Sequence, residues 1–248
     1  MKNNFIQLVS FLVGIIVLFI ILPNWGSSLF PSIQEMFSIR EKELNNIIEG
    51  TAYTFYRFLS SILIGYSVGI ILSIPCLISE KINAFLSPWY TIFRITPTIV
   101  WIPIFLALPK DVLGRETIPI VLGILFSSLY VSMHIIKVVQ NIPDEEKIAM
   151  KSMKVNFGWK WENCYFPRIL VSSVSSLKFG GSIAFILVIV GEALISAEKS
   201  LGYLLYSYQN VMVMAKPQFW LTTIIISVLA LIIFYMCSLL NKLTRTNE

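Results

Sequence analysis

Apolar residues run almost without interruption through six stretches of the chain: 5–22, 52–78, 84–108, 117–138, 169–195 and 218–240. A bilayer core about 30 Å thick takes about 20 apolar helical residues, so this pattern predicts six membrane-spanning helices. The first, FIQLVSFLVGIIVLFIIL, is about twice as long as a signal-peptide apolar core, and no small-residue cleavage site follows it. It is expected to be kept as a helix. A polar connection, 23–50, ends in REKELNNIIEG, which reads as a short surface helix. The second span is interrupted by Gly65, Gly69 and Pro75, and Arg57 near its start is expected to snorkel to the interface. The third holds Pro88, Pro97 and Pro103 with one arginine, Arg94, and is expected to kink or break. The fifth carries SSVSS (172–176) and GGS (180–182), small residues that let helices approach closely.

One stretch between the spans is different. Asn141 to Pro167 reads NIPDEEKIAMKSMKVNFGWKWENCYFP, with four lysines, four acids and several large apolar side chains. Pro143 suits the first turn of a helix, and Asp144, Glu145 and Glu146 put negative charge at the positive end of its dipole. Ala149, Met153 and Phe157 are spaced to share one helix face, and Lys147, Lys151 and Lys154 to share another. Asn156 and Gly158 are expected to break this helix, with a second short one running through Trp159, Trp161 and Tyr165 to Pro167. At about 1.5 Å per residue the first helix is roughly 16 Å long, too short to cross a bilayer. Two readings fit it. It is a knob entering a groove on a soluble partner, or an amphipathic helix resting on lipid headgroups.

Composition agrees with the spans. The chain is 56% hydrophobic and 13% charged, with a mean hydropathy of +0.77. Soluble domains carry about 25% charged residues, so this composition marks an integral membrane protein. The net charge of +5 belongs beside a membrane, not nucleic acid, because the basic residues flank apolar spans. With the N-terminus inside, eleven lysines and arginines fall on inner segments and seven on outer ones, Arg94 being left unassigned. That asymmetry places both termini and the central loop in the cytoplasm.

Chemistry is sparse. There is one histidine, His134, expected at the membrane interface, and two aspartates, Asp111 and Asp144, both in loops. Cys76, Cys164 and Cys237 show no metal or disulfide spacing. No H-E-x-x-H, G-x-S-x-G or nucleotide-binding G-x-x-x-x-G-K-[ST] occurs. The sequence therefore offers no catalytic, cofactor or metal site on this chain. Glu192, late in the fifth span, either lines a pathway or is an interfacial carboxylate paired with another helix or with solvent. Lys178, lower in that span, is expected to snorkel. The SSVSS serines either line a polar pathway or simply pack.

Four stretches carry a family resemblance, which covers roughly residues 50–240. TAYTFYRFLSSILIGYSVGIILSIP, with Arg57, Gly65 and Gly69, resembles the second span of permease subunits of binding-protein-dependent ABC importers, most closely the nitrate/sulfonate/taurine group. SPWYTIFRITPTIVWIPIFLAL resembles their third span at Pro88, Arg94, Pro97 and Pro103. GEALISAEKSLGYLL resembles the end of their fifth at Glu192, Leu201 and Gly202. The central loop stands where the family has its coupling loop, with an E-A-A, three residues, glycine motif closed by a proline thirteen further on. Counting back from Pro167 puts Ile148, Ala149 and Met150 at the three letters and Lys154 at the glycine; only Ala149 keeps the pattern.

The resemblance implies an all-α integral membrane protein of the type I ABC importer permease fold, with about six transmembrane helices and a cytoplasmic coupling-helix loop. It implies a multi-pass protein of the cell inner membrane, divided into an N-terminal helix and connection (1–50), a core permease domain (51–240, coupling loop 141–167) and a tail (241–248). Implied partners are an ABC ATPase subunit that binds the ATP, an extracytoplasmic substrate-binding protein and a second permease copy, expected as a homodimer. Ala149, Met153 and Phe157 are then the ATPase contact, with Met150 and Lys154 at its edge. Arg94, Pro97 and Glu192 are the candidates for pathway or gate. An ATP-independent channel or scaffold would need no protruding helix pair, and an intramembrane enzyme would need two facing polar residues that the sequence does not supply. Sulfonate, nitrate, a vitamin precursor and other small solutes all fit.

Overall fold

The computed structural model describes Gly14 and residues 30–108 and 114–245. The first predicted span, 5–22, lies outside the described residues, as does the loop that holds Asp111. Everything with regular structure among the described residues is helical. In chain order the helices are α1 (Ile33–Phe37), α2 (Glu41–Ile78), α3 (Glu80–Ile95), α4 (Trp101–Leu106), α5 (Ile118–Gln140), α6 (Asp144–Ser152), α7 (Phe157–Ile195), α8 (Leu201–Asn210) and α9 (Lys216–Arg245). Four of them (α2, α5, α7 and α9) are long and apolar enough to cross a membrane, and the bent pair α3–α4 would make a fifth span.

α2 is 38 residues long, or about 57 Å at about 1.5 Å per residue. REKELNNIIEG is thus not a separate surface helix. Residues from Glu41 onward are the first turns of α2, opened by acidic Glu41 and Glu43 with nothing after them to break it. The consequence falls on Arg57. It lies far inside the helix rather than near its start, is 4% exposed, and does not snorkel.

The break in the third span falls at Pro97. Thr96 before it is extended (ψ 124°), as the proline ring requires of its predecessor, and α3 and α4 meet at 97°. Pro88 and Pro103 stay inside their helices.

α5 packs between α2 and α7, and these contacts form the centre of the bundle. Phe126, Leu122 and Leu187 fill one core cluster, and Val131, Ile135 and Ile169 another. Small residues permit the approach: a Cβ on Gly69 would lie 2.7 Å from the Ser128 carbonyl oxygen. Ser172, Ser173 and Ser176 are buried and donate to the carbonyls three residues back. Ser173 also accepts from the Tyr66 hydroxyl, and Ser175 bonds His134 Nε2 at 2.9 Å. The SSVSS hydroxyls are thus satisfied within helix contacts. The Lys178 Nζ sits 3.9 Å from the centre of the Phe234 ring.

The polar stretch differs from expectation in two ways. α6 ends at Ser152, and Asn156 does not break it but caps the next helix, its side-chain oxygen accepting from the Trp159 N–H at 2.8 Å. The second short helix is not separate either. It widens into a π turn over Trp161–Tyr165 and continues into the fifth span as one helix. Pro167 has no N–H to offer, and the wider turn just before it carries the helix past.

Candidate functional site

The bundle carries two sites, one at each end. The first is the surface made by α6 and the start of α7. Ile148 is 68% exposed, Met153 62%, Phe157 54% and Trp159 43%, and Ala149 is exposed as well. Ala149, Met153 and Phe157 do not share one helix face, because α6 stops before Met153 and Phe157 opens α7. All three are nevertheless exposed. Met150 is not at the edge of that surface. It is buried with Ile142 and Cys164 beneath Val155 and Tyr165, and it pins α6 to the bundle. A Glu146–Arg168 ion pair ties α6 to α7 beside it. The sequence reading left Ile148 and Trp159 out of the contact set. The signal available was their size on a segment too polar to be a span.

Lys154 stands at the corner between the two helices with φ 47°. A left-handed backbone costs a residue with a Cβ about 1–2 kcal/mol, and glycine almost nothing. The position where the family pattern has glycine is thus one that needs it, and here lysine bears the strain. Lys154→Gly is expected to raise the thermal unfolding midpoint of the purified chain by about 2–4 °C for each kcal/mol recovered. An unchanged or lower midpoint would show that the lysine side chain contributes more than its backbone costs.

The second site is a buried charge centre at the other end. Glu192 is fully buried. Its Oε1 accepts from Arg57 Nη1 at 3.0 Å, and its Oε2 from Thr54 Oγ1 at 2.8 Å and the Gly202 N–H at 3.2 Å. Thr54 Oγ1 accepts from the Leu201 N–H at 2.9 Å, and Ser200 Oγ from the Tyr203 N–H. The opening N–H groups of α8 are therefore all met, and the carboxylate lies at the positive end of that helix. Gly202 has to be glycine. A Cβ there would lie 2.3 Å from the Ile189 carbonyl oxygen. Arg57 Nη2 reaches Glu116 at 2.7 Å, whose side chain is 70% exposed. Arg57 thus bridges a sealed carboxylate and one open to solvent, joining α2, α7 and the start of α5.

Glu192 is closed to solvent and paired with another helix, α2, through Arg57 and Thr54. Arg94 and Pro97 lie elsewhere and exposed, Pro97 at the bend and Arg94 on α3 facing α5. Sequence reasoning did not single out Arg57, Thr54 and Gly202 as partners of Glu192. One arginine and one glutamate at membrane depth were the available signal. Among the described residues no group of three His, Cys, Asp or Glu side chains is placed to hold a metal ion.

The model of the family described as "Binding-protein-dependent transport system inner membrane component" matches residues 61–246. Comparison with curated proteins gave no match. Among solved structures, the chain is similar to a methionine ABC transporter, MetNI, in inward-facing conformations, with a TM-score of 0.68 at 14% identity over 82% of this chain and 98% of that one. It is also similar to an amino acid ABC transporter crystallised with histidines, with a TM-score of 0.64 at 16% identity over 81% of this chain and 95% of that one. At such identities the likeness is one of fold.

Proposed function

The chain belongs to the binding-protein-dependent transport inner-membrane family, and from that premise we propose that it moves a small solute inward by alternating access, driven by ATP hydrolysis on a separate subunit. Permease component of an ABC importer and multi-pass inner-membrane protein are the properties that family membership carries. Beyond them, α6 faces the cytoplasm and is the seat of an ABC ATPase. An extracytoplasmic binding protein delivers the solute, and a second copy of this chain completes the pathway within the bilayer. The chain itself performs no hydrolysis, and ATP binds the partner. The resemblance of the second, third and fifth spans to the nitrate/sulfonate/taurine group is what supports a solute of that class.

The observation that carries this reading is the apolar corner of Ile148, Ala149, Met153, Phe157 and Trp159. It is tied to the bundle outside the spans by Met150 and the Glu146–Arg168 pair. A partner shifts a two-state equilibrium only through contacts that differ between the states. A short helix fixed to the start of a spanning helix passes motion of its seat directly to that span. The test is co-purification of the chain, expressed with its genomic neighbours, in mild detergent. An ATPase should accompany the native chain and be lost when Ala149, Met153 and Phe157 are replaced by aspartate. A stable chain that brings down no ATPase in either form sinks the importer reading and returns the corner to the lipid headgroups.

A further inference from the structure

We propose that the cleft between α3 and α5 is a binding site for an oxyanion, held by Arg94 and Lys137. Asn83, Ser87, Thr91 and Arg94 recur along one face of α3. They line one wall of a cavity of about 310 Å³, and Lys137 and Gln140 at the end of α5 line the other. The floor is neutral, since Tyr90 turns its hydroxyl to Ser132 at 2.9 Å. No carboxylate lines the cleft, and among the described residues no acid pairs with either cation.

Three other cations of the bundle are paired with acids. Arg57 is matched by Glu192 and Glu116, Arg168 by Glu146, and Lys199 by Glu49. The cleft collects two cations together with amide and hydroxyl donors, and no carboxylate is in its lining. Two uncompensated positive charges in such a cleft concentrate anions, and pores that pass anions are lined in this way. An arginine fork binds an oxyanion through two parallel hydrogen bonds. The volume is at the lower end of small-molecule sites, which run from about 300 Å³ upward, and admits a phosphate- or carboxylate-sized group. That group could be the headgroup of an anionic phospholipid or a free anion in the aqueous part of the cleft.

The test uses the full chain in phosphatidylcholine nanodiscs, without ATP or an ATPase, so it stands apart from the transport reading. Inorganic phosphate is added at constant ionic strength, and broadening of its phosphorus NMR line is followed. Saturable broadening is expected for the native chain. Arg94→Gln and Lys137→Gln, both at exposed positions, should each weaken it roughly tenfold or more, as loss of a charged hydrogen bond does. Lys178→Gln, at a lysine stacked on Phe234, should leave it unchanged. If phosphatidylglycerol in the disc suppresses the broadening, the headgroup is the occupant; if not, the site takes a free anion. Equal broadening in the native chain and both cleft variants, or none in the native chain, overturns the proposal.

Discussion

Glu192→Ala is expected to cost the folded chain about 3–5 kcal/mol, the usual penalty for removing one partner of a buried ion pair. The geometry explains the size. Arg57 would keep its charge at 4% exposure with only the solvent-exposed Glu116 left to match it. The Thr54 hydroxyl and the Gly202 N–H would both lose their acceptor in a site closed to water. Arg57→Ala should cost a similar amount by leaving a fully buried carboxylate with two neutral donors. Thermal unfolding in detergent and the yield of monodisperse protein are the measurements. An unchanged midpoint for either variant would refute the account of the centre. Replacing both, as Arg57→Met with Glu192→Leu, should recover much of the loss, because apolar pairs of similar volume often substitute for buried ion pairs at little cost. Transport by that double variant then separates two roles. If it transports, the centre stabilises the fold; if it folds but does not transport, the bridge from Glu192 to exposed Glu116 takes part in the conformational cycle.

Phe157→Ala is expected to weaken ATPase binding by about 2–4 kcal/mol and leave the stability of the isolated chain unchanged. Large aromatic side chains that are exposed in the free protein and central in an interface behave in this way. Phe157 is 54% exposed and sits at the corner between α6 and α7, stacked 6.4 Å from Trp161. Met150→Ala should do the opposite first. It removes a core side chain that is 8% exposed and packed on Ile142 and Cys164, at a cost of about 2–5 kcal/mol to the fold. ATPase affinity would follow only as α6 loosens. Measuring both quantities on both variants checks the assignment. If Phe157→Ala lowers the unfolding midpoint as much as Met150→Ala does, the corner is a packed surface and not a docking surface.

What was legible in the amino-acid order was what is local in the chain. The spans from 117 and 218 begin within two residues of α5 and α9, because apolar runs report burial in lipid wherever they fall. That the third span breaks at a proline was legible too, but not which of Pro88, Pro97 and Pro103 breaks it, since each restricts its own ring and the residue before it alike. Helix ends were less legible. Asn156 is equally good at stopping one helix and capping the next, and nothing near it says which. The glutamate and arginine at membrane depth could be named as needing partners. That Arg57 meets Glu192, 135 residues away, was decided by α2 and α7 lying against α5. The inward turn of Met150 beside exposed Met153 was likewise decided by packing on Ile142 and on Cys164 of the next helix. Composition selects residue types for lipid, water or a charge partner. Which atoms meet depends on how helices dock, and that is set by contacts the chain makes only once it has folded.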